Sequence, residues 1–241
     1  MIEIHPLEGV PELVEGDDIA DHVARAFELR DDDVVVLAQK AVSKAEGRVV
    51  ELADVEPSQL ATTLAADDGD PRHLEVILRE SHRVVRARKS FVIAETRHGF
   101  ICASAGVDAS NTPSEGTVVL LPEDPDASAA RIRDRLRELT GAAVGVIVSD
   151  SFGRPWRQGT IDVAIGVAGI RALLDLRGTH DARGYELRST QIAVADELAS
   201  AAELVMGKAS QIPVAVIRGL RLEGDGTAAD IPIPEDRDLF R

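Results

Sequence analysis

Residues 143–159, AVGVIVSDSFGRPWRQG, constrain this chain more than any other stretch. Val144, Val146 and Val148 recur at period two while Gly145 and Ile147 fill the intervening positions, and so continuous an apolar run suits a strand covered on both faces. The pattern stops at Asp150 and Ser151. Gly153 and Pro155 then predict an irregular turn carrying Arg154, Trp156 and Arg157. Oxygen ligands and cations would share one loop at a strand's C-terminal end, a seat for a metal and phosphates. A solvated strand end with surface arginines is the plainer reading of the same residues.

The rest of the chain alternates strands and helices. Strands are expected at 1–5, 34–37, 49–52, 84–85, 91–94, 100–103, 118–121 and 214–217, with a hairpin turn at 96–99 and an apolar run with small breaks at 161–170. Helices are expected from Asp17 or Asp18 to Leu29, at 58–66 and 71–81 with a break at 67–70, at 126–140 opened by an Asp-x-Ser cap and closed by Gly141, and at 189–206. Residues 6–16 and 173–187 read as loops, and the tail beyond Glu223 as loosely held. Hairpins mixed with strand–helix alternation indicate an α+β or mixed α/β fold, not a plain doubly wound sheet. No repeat or linker divides the 241 residues, which read as one unit.

Charge narrows the partners. With 27 Lys and Arg against 42 Asp and Glu, the net charge of −15 argues against general binding to nucleic acid or to anionic membranes. No apolar run nears the ~18 residues of a membrane helix, and the N-terminus lacks a signal-peptide pattern, so the expected location is the cytoplasm. Such an acidic surface repels phosphorylated substrates unless cations gather locally, and only Lys40, Lys44, Lys89 and Lys208 are lysines. Cys102 is the sole cysteine and reads as a small core residue. Six scattered histidines show no paired ligand spacing, which gives zinc no motif to rest on.

No Walker A loop, G-x-G-x-x-G or nucleophile elbow occurs. What remains is oxygen chemistry. Asp108, Asp150 and Ser151 sit at the ends of separate strand-like runs, and hard carboxylate and hydroxyl ligands select Mg²⁺ or Mn²⁺. Asp108 and Asn111 also read as turn residues. Lys40 and Lys44, four apart after a strand, put two cations on one side of a helical turn, as a phosphate site or as a solvated face. Arg83, Arg86, Arg88 and Lys89 read as a polar edge strand, Trp156 as ordinary packing, and Glu46 as a surface carboxylate or a general base.

Five segments together resemble one family. PLEGVPEL with GDD at 6–18, QKAVSKAEGR at 39–48, AGVDASN at 105–111, SDSFGRPWRQG at 149–159 and VADELASAAELVMGK at 194–208 are similar, in this order, to the coenzyme F420-0:L-glutamate ligases. The resemblance implies GTP-driven attachment of L-glutamate to F420-0, with γ-linked extension, through an acyl phosphate and with release of GDP and phosphate. It implies a two-lobed, intertwined homodimer. By motif matching it puts Asp108, Asp150 and Ser151 on metal positions, with two Mg²⁺ or Mn²⁺ ions and a potassium ion as the cofactors. Val10, Pro11, Glu12, Leu13, Gln39, Lys40, Lys44, Asn111, Met206, Gly207 and Lys208 fall on GTP contacts, and Asp150 and Lys44 on catalytic positions. Lys208 stands where other members can carry a carboxylate or amide, and an ammonium cannot ligate, so the second metal site is either missing or completed by another ligand. No C-terminal reductase domain is expected before the end at Arg241. Two other readings stay open: a metal-dependent phosphohydrolase on the same scaffold, and a non-catalytic deazaflavin or nucleotide carrier.

Overall fold

The structure, a computed structural model, describes residues 1–66 and 68–239. Asp67, expected in a break between helices, and Arg241 lie outside the described residues. In chain order the strands are β1 (Glu3–Pro6), β2 (Val34–Ala38), β3 (Val49–Glu51), β4 (Ser81–Arg88), β5 (Phe91–Thr96), β6 (Ile101–Ala103), β7 (Thr117–Val119), β8 (Gly145–Arg154), β9 (Arg157–Ala168), β10 (Leu174–Asp175), β11 (Gln191–Ile192) and β12 (Val214–Arg218). The α-helices are α1 (Ile19–Ala26), α2 (Gln39–Ala45), α3 (Gln59–Ala65), α4 (Pro71–Glu80), α5 (Pro125–Thr140) and α6 (Val194–Met206). This is the mixed α/β architecture the alternation of elements indicates.

The main sheet has the order β1-β12-β2-β8-β9, with β2 and β8 parallel and every other pair antiparallel. Val34 to Leu37 of β2 and Val146 to Val148 of β8 are buried, as their unbroken apolar runs require. Helices α5 and α6 pack on β9, and α1 packs on α5. Helix α5 is bounded by its sequence: Asp124 caps it by accepting from the Ala127 N–H at 2.9 Å, Pro125 occupies its first turn, and Gly141 closes it in the left-handed region at φ 76°. Strand β9 passes so close to this start that a Cβ on Gly166 would lie 2.2 Å from the Pro125 carbonyl oxygen. A second hydrophobic core, around Leu74, Ile77, Val92, Val107, Val118 and Leu120, lies under the sheets β4-β5-β6 and β3-β7. In the first of these β4 is an edge strand, and its arginines are exposed as expected.

Several expectations need correction. Strand β8 does not stop at Asp150; it runs on to Arg154 and turns back into β9 through Pro155 and Trp156, because pairing with β9 supplies the ladder that the apolar pattern no longer signals. Trp156 is 83% exposed at this turn and is not a core residue. Helix α6 begins at Val194, since Gln191 and Ile192 pair with Asp175 and Leu174 as strand. Asp126 is not the cap of α5. It accepts from the N–H groups of Val167 and Ala228, both at 2.8 Å, and so anchors the tail, where Ala228 is fully buried.

Candidate functional site

Strand direction gathers the site. Strands β1, β2 and β8 all run the same way, so their C-terminal ends open on one edge of the sheet, where ligands collect in parallel α/β sheets. Strand β12 runs against them and therefore delivers the segment before it to that edge, where the Ala38 N–H donates to the Pro213 carbonyl at 2.8 Å. Asp108 arrives from the second core, held by a two-way backbone bridge to Val119, 2.9 Å in each direction. Together these segments enclose a cleft of about 1070 Å³.

Every site residue that the family resemblance implies lines this cleft. Val10, Pro11, Glu12 and Leu13 come from the loop after β1, and Gln39, Lys40 and Lys44 from α2. Asp108 and Asn111 come from the loop before β7, Asp150 and Ser151 from β8, and Met206, Gly207 and Lys208 from the end of α6. Arg154, Trp156 and Arg157 are not among its lining residues, so the turn that the sequence singles out is not where cations meet carboxylates. Glu46 is also outside it, accepting from Arg131 at 2.6 Å.

The polar groups are tied to one another. The Lys40 ammonium donates to Asp108 at 2.7 Å and to the Ser110 hydroxyl at 2.8 Å. Burial pushes the Asp108 carboxyl up, but Lys40 and the Ser110 N–H outweigh it and hold it below the usual aspartate range. Lys44, 7% exposed, pairs with Glu12. Gln39 is buried, and both hydrogens of its amide nitrogen are taken, by Ser43 at 2.6 Å and by the Leu120 carbonyl at 2.7 Å. It therefore ties α2 to the segment after β7 and has no side-chain donor left for a ligand. Asn111, at φ 52°, reaches the Lys208 carbonyl at 3.5 Å.

Asp150 has the opposite balance to Asp108. Burial pushes its carboxyl up to about 7, with repulsion from Asp162 and Asp108 added, and the Ser151 N–H and Lys40 only partly oppose this. Glu203 on α6 is raised too, by burial and then by Asp162, with Lys208 opposing. Asp162 and Glu203 were missed by the sequence reading, and both line the cleft. For Asp162 a signal existed: a lone carboxylate inside the apolar run of β9. Its register opposite Ser151 is set by the hairpin, and a register shift between Val148 and Ser149 re-aims this part of β8. Among the described residues no group of three or more His, Cys, Asp or Glu side chains is arranged to hold a metal.

A mixed α/β protein whose parallel strand ends open on a large cleft of interleaved lysines and carboxylates has the build of an enzyme for anionic small molecules. More narrowly, the chain belongs to the F420-0:Gamma-glutamyl ligase family, whose model matches residues 9–219. It is 48% identical to the coenzyme F420:L-glutamate ligase of Methanopyrus kandleri, over 100% of this chain and 98% of that protein. To the proteins of the same name from Methanothermobacter thermautotrophicus and Archaeoglobus fulgidus it is 43% and 40% identical, again over 100% of this chain and over 99% and 96% of theirs. Among the described residues no helix is long and apolar enough to cross a membrane.

Proposed function

We propose that this protein is a GTP-dependent ligase that joins L-glutamate to coenzyme F420-0, and adds a further glutamate to F420-1 through a γ-linkage. The observation that carries the reading is the convergence of every motif-matched residue, from separate stretches of chain, on one cleft large enough for a nucleotide. Relatives aligned over the full chain, and named for joining F420 to L-glutamate, support it.

Joining a carboxylate to an ammonium group is uphill in water, so the carboxylate must be activated first. In the proposed sequence an oxygen of the F420-0 carboxylate attacks the γ-phosphorus of GTP, the bond to the β,γ-bridging oxygen breaks, and GDP leaves. The amine of glutamate, having lost a proton, then attacks the carbonyl carbon of the acyl phosphate. The C–N bond forms as the C–O bond to phosphate breaks. Such phosphoryl transfer depends on in-line positioning and charge neutralisation. Lys40 and Lys44, fixed by Asp108 and Glu12, are the cations for the phosphates, and the loop of Val10, Pro11, Glu12 and Leu13, Asn111 and the stretch from Met206 to Lys208 form the walls around the nucleotide.

The donor set fits Mg²⁺ or Mn²⁺. Asp108 and Asp150 face one cavity with the Ser151 hydroxyl, and the elevated Asp150 carboxyl marks negative charge that a divalent ion would neutralise. When bound, such ions supply charge neutralisation on the phosphates. Two of them, with potassium, and the homodimer belong to the same proposal.

The test is incubation with GTP, Mn²⁺ and F420-0, with and without glutamate. A product heavier by one glutamyl unit, with GDP released, is expected only in the complete mixture. GDP formed equally without glutamate would favour a phosphohydrolase, and ligand binding without GDP a carrier.

A further inference from the structure

Asp162 matches none of the five motifs, yet at 4% exposure it is more deeply buried than the other described acids of the cleft. It sits on β9 directly opposite Ser151, and the Ser200 hydroxyl ties its backbone carbonyl to α6 at 2.7 Å. Its two oxygens are used separately. The Ser151 hydroxyl donates to Oδ1 at 2.7 Å and the Ser149 hydroxyl donates to Oδ2 at 3.0 Å.

A serine hydroxyl has one hydrogen and two lone pairs, and a carboxylate oxygen can only accept. With its single proton drawn to Asp162, the Ser151 oxygen has both lone pairs directed elsewhere, and Ser151 lines the cleft beside Asp150. We infer that Asp162 is a positioning residue for a divalent cation: it locks the Ser151 rotor so that oxygen lone pairs, not a hydrogen, face the ion. This rests on the proposed reading of Ser151 as an oxygen ligand.

Partners that orient a ligand in this way are worth about 10–100-fold in metal affinity. The experiment measures Mn²⁺ binding to the protein without nucleotide, by the loss of the free-ion paramagnetic resonance signal, for the parent, S151A, D162N and the double variant, with a thermal melt of each. Asp162→Asn is expected to weaken Mn²⁺ binding by about 10–100-fold, and in the S151A background to add no more than about threefold, because its effect passes through Ser151. A loss that adds in full to that of S151A would make Asp162 a mere contributor of charge and overturn the role, as would affinity within about twofold of the parent. Should D162N fail to fold, Asp162→Glu decides: it keeps the charge but displaces the oxygens, so parent-like affinity overturns the proposal and a loss supports it. Absence of Mn²⁺ uptake by the parent protein would instead sink the metal reading itself, and Asp162's role with it.

Discussion

In metal-free protein, replacing Asp150 with asparagine should stabilise the fold above neutral pH while removing the proposed cation ligand. The carboxyl is pushed from the ordinary 3.8 to about 7 by burial and by its acidic neighbours, so the folded protein holds this proton where the unfolded chain has released it. Folding therefore takes up a proton between about pH 4 and 7. The raised value favours the fold fully below the unfolded pKa and that contribution is lost as pH rises through the folded one. At about 1.4 kcal/mol per pH unit the gap is worth roughly 4 kcal/mol, of which about 2–3 kcal/mol develops between pH 5 and 8.5. Asparagine carries no such penalty. In EDTA, the melting temperature of D150N relative to the parent should rise by roughly 5–10 °C between pH 5 and pH 8.5, taking about 2–4 °C per kcal/mol for a chain of this size. Adding Mn²⁺ at pH 8.5 should raise the parent but not the variant, since only a bound ion stabilises by mass action. A difference between variant and parent that does not change with pH would refute the argument from buried charge.

Two further outcomes test the packing that positions the site. Gly166→Ala should destabilise by about 1–3 kcal/mol or more in urea unfolding, because the new Cβ meets the Pro125 carbonyl, which is backbone and cannot rotate away. Asp126→Ala leaves the N–H groups of Val167 and Ala228 without their acceptor, at about 1–3 kcal/mol for each such group left unsatisfied, and limited proteolysis should then cut first near Ala228.

Much of the site was legible because the residues that bear chemistry follow apolar strands closely in sequence. Lys40 comes two residues after β2, and Asp150 follows the apolar half of β8 closely, so recognising the apolar runs was enough to single out both. Asp162 was not legible in the same way. Its importance comes from facing Ser151 across a hairpin, and the sequence predicts an irregular turn there because Gly153 and Pro155 dominate local propensity while the pairing that overrides them is non-local. The tail was misjudged for a similar reason: nothing near Ala228 announces that Asp126, on α5, will accept its N–H.

Local pattern, composition and the order of five segments were enough to determine the class of elements, the membership of a ligase family and most of the lysines and acids that line the cleft. Those depend on residue type and spacing, which a chain carries with it when unfolded. Tertiary structure decided which acids share a field, that Asp108 is held low by Lys40 while Asp150 is driven up, and that Glu46 and the Arg154–Arg157 turn stand aside. Burial, strand register and distance set those outcomes, and none of them exists until β2, β8, β9 and β12 have come together.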